Sequence, residues 1–198
     1  WGRIKVIGWD GHKDFEGETL AEVAELKGLD PFDLMFDLVI NKESIELVDL
    51  SMSEEDVRTV LKHPLSMIGS DGWALAPYGV LSESKTHPRS YGTYPRILGK
   101  YVREEEVLSL AEAIRKMTSL PAQKLGLRDR GMIREGAWAD LVVFNPKTVI
   151  DKATYEDSHC YPQGIEYVLV NGEIVIDERE HTGALPGKAL RISKAKMQ

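Results

Sequence analysis

Two short motifs carry side chains that could do chemistry together. Asp71 sits in Ser70-Asp71-Gly72, directly after the apolar run Leu65-Ser66-Met67-Ile68-Gly69, and His87-Pro88-Arg89 follows within the next stretch of polar, proline-containing chain. An acid at the carboxyl end of a strand is placed to move a proton. An arginine on the following loop can grip a carboxylate with two parallel hydrogen bonds. Gly72 would let a ligand approach the backbone. Each motif also has a plain structural reading: Ser-Asp-Gly is common turn chemistry, and a surface arginine often makes only a weak ion pair.

The five histidines, His12, His63, His87, His159 and His181, are scattered singly, and there is one cysteine, Cys160. No His-x-His, His-Glu-x-x-His or Cys-x-x-Cys spacing occurs. A complete metal site needs three or four converging ligands at ~2 Å, which nothing local supplies. His63, before Pro64, reads as a helix C-cap, and His159-Cys160 as part of a surface loop. There is no phosphate-binding Gly-rich loop, no dinucleotide fingerprint and no Gly-x-Ser-x-Gly elbow, so nucleotide binding and serine hydrolysis have no support.

The elements that would position these residues alternate between strand and helix. Ile4 to Ile7 predicts a strand, Glu18 to Lys27 a helix closed by Gly28, and Asp30-Pro31 the start of a strongly apolar helix that must be mostly buried. Ile45 to Leu50 predicts a second strand. Ser53 opens a helix running to His63 through a near capping box, and Leu65 to Gly69 reads as a short buried strand ending at Asp71. Strands alternating with helices imply a parallel sheet. Residues 73 to 92 read as a long loop, of the kind that in a compact domain is usually either functional or disordered. Helices follow from about Thr93 to Val102 and from Ser109 to Thr118, with a helical turn at Ala122 to Leu125. Beyond Leu127 the pattern changes to short β segments: Met132-Ile133, then Ala139 to Phe144, then two apolar runs flanking Asn171-Gly172, the strongest short hairpin signal. The tail is basic, with Lys188, Arg191, Lys194 and Lys196.

Composition sets outer limits. The 198 residues carry 25 Lys plus Arg against 32 Asp plus Glu, a net charge of −7, with 42% hydrophobic and 29% charged residues. This is ordinary globular composition. The acidic balance argues against nucleic acid or a membrane surface as a partner, and no apolar run approaches the ~20 residues of a membrane helix. One cysteine excludes an intramolecular disulfide and fits a cytoplasmic location. Trp1 reads as an internal start, without a signal-peptide pattern.

Taken together, Ser70-Asp71-Gly72, His87-Pro88-Arg89, Gly92-Thr93-Tyr94-Pro95-Arg96, Met117-Thr118-Ser119-Leu120-Pro121-Ala122, Arg130-Gly131-Met132-Ile133 and Gly136-Ala137-Trp138-Ala139-Asp140-Leu141-Val142-Val143-Phe144 resemble the C-terminal part of the N-acyl-D-amino-acid deacylases, or D-aminoacylases, of the amidohydrolase superfamily. Val170-Asn171-Gly172, His181-Thr182-Gly183 and Pro186-Gly187 extend the resemblance over nearly the whole chain.

The resemblance implies an α/β fold: residues 1–127 as the C-terminal portion of a (β/α)8 barrel, then residues 128–198 as part of a small composite β-sandwich with a tail. It places Asp71 at the end of the eighth barrel strand, Ile45 to Leu50 in the seventh and Ile4 to Ile7 in the sixth. It also implies a zinc cofactor whose other ligands lie outside this chain, with Asp71 touching the metal, taking a proton from metal-bound water and passing it to the leaving amine. Arg89 would hold the substrate carboxylate, and His87, Ser70 and Gly72 would line the substrate site. The implied substrate is an N-acyl amino acid, and the implied partner is the missing N-terminal barrel portion or a companion chain. With about three of eight barrel strands present, exposed edges favour association into oligomers, and the chain alone is expected to be inactive. Two alternatives stand beside this one: a cyclic-amide hydrolase of the dihydroorotase or hydantoinase type, and a non-catalytic scaffold or oligomerisation fragment.

Overall fold

The computed structural model describes residues 1–83 and 85–191, so Lys194 and Lys196 of the basic tail lie outside the described residues. Local sequence signals set most helix ends. Thr19 and Glu22 form a reciprocal capping box at the start of α1 (Leu20–Lys27), and Gly28 closes it at φ 66°. Asp30 caps α2 (Pro31–Ile40), accepting from Phe32 N–H at 2.8 Å, with Pro31 at the first helical position. Ser53 caps α3 (Glu54–Lys62), and Ser109 caps α5 (Leu110–Met117). Each cap satisfies a backbone donor that the helix cannot.

The first strand, β1 (Ile4–Trp9), pairs with β2 (Ile45–Asp49), with α1 and α2 in the connection between them. Val6, Trp9, Leu20, Val23, Ala24, Leu34 and Leu38 form its core. The pairing is antiparallel, Ile4 opposite Asp49 and Trp9 opposite Ile45, which corrects the expected parallel sheet. Strand–helix alternation fixes element type but not direction, and the two intervening helices return the chain to run back along β1.

The apolar helix α2 also departs from expectation. Leu34 and Leu38 are buried, but Phe32, Phe36, Val39 and Ile40 are well exposed, Ile40 by 71%. One face meets β1, β2 and α1; on the other, Trp1 meets Phe32 edge-on with ring centroids 4.9 Å apart, and Phe36, Val39 and Ile40 stay exposed.

Leu65 to Gly69 is not the buried strand expected. Residues 66–76 have no regular structure, and Leu65 is 77% exposed. Without a neighbouring strand, the run makes a single backbone tie of note, Ile68 N–H to Lys116 O at 3.1 Å.

The loop after it ends early. A 3-10 turn spans Gly79–Ser82, and α4 (Arg89–Arg96) begins four residues ahead of the predicted helix, continuing into a π-helical stretch, Ile97–Glu104. Pro95 has no N–H to give the preceding turn, and Gly92 lies where a Cβ would meet Asp151 Cβ at 2.9 Å. Both residues look like helix breakers but are tolerated here by packing. With α3 and α5, this region builds a second core of Leu61, Ile97, Tyr101, Leu108 and Ala113, and α6 (Ser119–Lys124) follows α5.

The remaining chain forms an antiparallel meander, β3 (Leu141–Phe144), β4 (Ile165–Val170), β5 (Glu173–Asp177) and β6 (Glu180–His181), in that order. Asn171 and Gly172 both take positive φ, 52° and 87°, as the β4–β5 turn requires. Met132 and Ile133 are in no strand and are exposed, correcting the β segment expected there. No helix among the described residues is long and apolar enough to cross a membrane.

Candidate active site

Asp71 and Arg89 converge. Arg89 Nη2 lies 2.8 Å from Asp71 Oδ2, and Arg89 Nε donates to the Asp71 carbonyl at 2.9 Å. The two residues come from different kinds of backbone: Asp71 from an irregular turn, Arg89 from the first position of α4. Asp71 sits at φ 47°, a left-handed conformation that Asp and Asn accept more readily than other side-chain-bearing residues. Its carboxylate is 84% exposed, and the Arg89 side chain is exposed to about half that extent, 43%.

The neighbours hold this turn in shape. Ser70 Oγ accepts from Gly72 N–H at 3.2 Å, and Ser90 Oγ accepts from Trp73 N–H at 3.4 Å. Gly72 faces protein on its open side, since a Cβ there would lie 2.8 Å from Ser90 Cα. Thr86 Oγ1 and Ser90 Oγ are 3.0 Å apart, and Thr86 N–H donates to the buried Ser158 hydroxyl at 3.1 Å. Asp71, Trp73, Lys85, Thr86, His87, Arg89 and Ser90 line a cleft of about 200 Å³.

His87 is engaged through both ring nitrogens. Nδ1 accepts from Arg89 N–H at 3.0 Å, and Nε2 lies 3.2 Å from Tyr155 Oη. Burial, with the Arg89 and Arg96 guanidinium charges nearby, holds the His87 imidazole below its ordinary pKa. Behind the site, Lys116 is fully buried, its ammonium donating to the carbonyls of His63 and Ser66 and to Ser66 Oγ. At the other end of α4, Arg96 pairs with the buried Asp151 carboxylate at 2.8 Å.

Tyr155, Lys116, Ser90 and Asp151 were not singled out by sequence reasoning. Tyr155 stands 68 residues from His87, and no spacing rule connects them. The buried lysine had a faint signal, a charge on the core-facing side of an otherwise amphipathic helix. The other histidines lie elsewhere: His12 stacks on Trp9 with ring centroids 4.6 Å apart, His63 caps α3, and His159 Nδ1 meets Tyr91 Oη at 3.0 Å.

As a metal centre, the arrangement is incomplete. No group of three His, Cys, Asp or Glu that could hold a metal ion occurs among the described residues. The exposed Asp71 carboxylate could occupy one coordination position, and its present counter-charge is Arg89. A zinc ion here would need its remaining ligands from other residues.

Residues 7–176 match the amidohydrolase family. The chain is 39% identical over 188 residues to the N-acyl-D-glutamate deacylase of Alcaligenes xylosoxydans xylosoxydans, covering 95% of this chain and 36% of that protein. It is 38% identical over 189 residues to a D-aminoacylase of the same organism, covering 96% of this chain and 37% of the relative. The structure resembles that of the N-acyl-D-glutamate deacylase of Bordetella bronchiseptica complexed with zinc and a phosphonate inhibitor, a mimic of the reaction tetrahedral intermediate, with a TM-score of 0.74 at 36% identity over 90% of this chain and 36% of that one. The chain thus spans little more than a third of the length of the relatives it matches.

Proposed function

The chain belongs to the amidohydrolase family, and from that premise we propose that it is the C-terminal segment of a zinc-dependent enzyme that hydrolyses the amide bond of N-acyl-D-amino acids. The observation that carries this reading is the pairing of Asp71 with Arg89, a proton carrier beside a carboxylate receptor in one cleft. Residues 1–127 would supply part of the barrel and residues 128–198 part of the composite β-sandwich and tail. The missing N-terminal portion, in the same polypeptide or a companion chain, would bring the other metal ligands and cover the exposed face of α2. The reading places the enzyme in the cytoplasm.

Zinc, when bound, lowers the pKa of water to roughly 7 and polarises the amide carbonyl. This chain's residues supply binding and proton movement. Arg89 receives the α-carboxylate of the substrate. Its Nε and Nη2 already hold Asp71, and Nη1 is uncommitted among the described residues, leaving donors for a second carboxylate. Asp71 takes a proton from the attacking water at its carboxylate and gives it to the amide nitrogen. A C–O bond forms, the C–N bond breaks, and the products are a carboxylate and a D-amino acid. Ser70 and Gly72 shape the turn presenting Asp71 and border the bound substrate.

The test compares substrates and chain lengths. The full-length enzyme should hydrolyse N-acetyl-D-amino acids and leave hydantoins intact, while the purified 198-residue chain should hydrolyse neither substrate and should not bind zinc stoichiometrically. Ring opening of hydantoins in place of deacylation would transfer the assignment to the cyclic-amide hydrolases. That alternative is not favoured by relatives that are themselves deacylases of N-acyl-D-amino acids. Stoichiometric zinc on the isolated chain would overturn the division of ligands.

A further inference from the structure

We infer that Tyr155 is a positioning residue for Arg89, acting through the His87 imidazole: the phenol fixes the ring, and the ring fixes the backbone from which the guanidinium projects. The inference rests on the proposed function only for what Arg89 binds. The hydrogen-bond chain is a property of the fold.

Arg89 opens α4, so its N–H is one of the donors a helix leaves unpaired at its start. The preceding residue, Pro88, offers no capping side chain, and His87 Nδ1 accepts that proton instead at 3.0 Å. A nitrogen that accepts from a backbone N–H carries no proton of its own, so the neutral ring holds its proton on Nε2. That N–H meets Tyr155 Oη at 3.2 Å, with the rings edge-on, 79° apart in plane and 5.1 Å between centroids. The charged groups facing the imidazole are Arg89, Arg96 and Asp71; burial and the two guanidinium charges favour its neutral form and outweigh the opposing pull of the Asp71 carboxylate.

Tyr155 is itself held. Thr154 N–H donates to the Asp157 carbonyl and Asp157 N–H returns to Thr154 Oγ1, both at 2.9 Å, closing a tight turn around it. Just upstream, Ala153 is buried and Asp151 pairs with Arg96. The segment thus grips α4 at both ends, through Asp151 at Arg96 and through Tyr155 at the helix start. A residue that only filled space would need the tyrosine ring but not its hydroxyl.

The test uses Tyr155→Phe and His87→Asn in the full-length enzyme, singly and together. Asparagine keeps an acceptor near the Nδ1 position but cannot reach Tyr155. Tyr155→Phe should raise KM for an N-acetyl-D-amino acid roughly three- to tenfold, the effect of one neutral hydrogen bond, with kcat within about twofold. In the His87→Asn background it should add nothing further, because the path it uses is gone. With selectively 15N-labelled protein, His87 should show the Nε2–H tautomer, and the Arg89 Nε–H, bonded to the Asp71 carbonyl, should exchange with solvent faster in Tyr155→Phe than in the native enzyme. An Nδ1–H tautomer, additive KM effects, or unchanged KM and exchange would overturn the proposal. Should the substrate prove to be something else, the tautomer and exchange measurements still decide the positioning role, so the two failures are distinguishable.

Discussion

The segment that carries Asp71 and the segment that carries Arg89 are built on opposite principles. Arg89 stands on a helix whose continuation buries Gly92, Pro95, Ile97, Leu98, Gly99 and Tyr101. Asp71 stands on irregular chain with exposed Leu65 and Trp73, tied down by the Lys116 ammonium, which donates to its carbonyls, and by the Ser70 and Ser90 hydroxyls, which accept from its N–H groups. One half of the ion pair is anchored by its own core. The other is posed by contacts borrowed from elsewhere, so its geometry is sensitive to changes that leave the fold intact. Functional groups are often found on such loops, held by a rigid scaffold.

The largest effect should come from separating chemistry from binding across the pair. Asp71→Asn in the full-length enzyme should lower kcat about 10²- to 10⁴-fold, the range for losing a general acid–base, with thermal stability unchanged. Arg89→Ala should mainly raise KM, by about 10- to 100-fold for a lost charge-assisted contact. Equal kinetic signatures in the two variants would break the assignment of separate roles.

A second pair of variants probes the two modes of anchoring. At Gly99 an added Cβ would come within 2.4 Å of Ile150 Cδ1 and 2.7 Å of the Val149 carbonyl. Gly99→Ala should therefore cost about 1–3 kcal/mol of global stability, as overpacking does, seen as a lower Tm. Lys116→Met should cost a similar or smaller amount, about 1–3 kcal/mol for carbonyls left without a donor. Its signature should differ: faster amide exchange across residues 63–72, with α4 still protected. Loss of protection in α4 as well would show that the two segments are not independently held.

The smallest effect is a pH dependence confined to the helical side. Burial, with the hydrogen bond to Glu54, pushes the Tyr101 hydroxyl from its usual 10 up to about 12. The folded state then holds this proton more tightly than the unfolded chain. Its stabilising contribution is complete below about pH 10 and is lost as pH rises towards 12. Ultraviolet titration should find this tyrosine ionising last, and a phenolate forming near pH 10 would place Tyr101 outside the core.

What was legible in the sequence was what is local. Asp30, Ser53 and Ser109 announce helix starts because a cap and its target lie within three residues. Asn171-Gly172 announces its hairpin for the same reason. Asp71 and Arg89 could be picked out by residue type and by their two short motifs, and the structure brings them together although the strand expected to end at Asp71 is absent. Strand direction was not legible, because alternation is the same in parallel and antiparallel pairs. The early start of α4 was hidden by Pro88, which stands at its N-cap, and by Gly92, whose presence answers to the close approach of Asp151 rather than to a loop. Tyr155 was invisible because its meaning lies in a ring that the chain reaches only after closing a long loop.

The left-handed backbone at position 71 narrows the replacements that can report cleanly on this carboxylate. Alanine or a β-branched residue there would pay a conformational penalty before any question of catalysis arose, and glycine would loosen the turn. Asparagine alone matches the shape, the torsion and the acceptor oxygen while withholding the ionisable group. At this locus the torsion angle and the reaction both favour aspartate, and a mutational survey would find a tolerance set by geometry nested inside a stricter one set by charge.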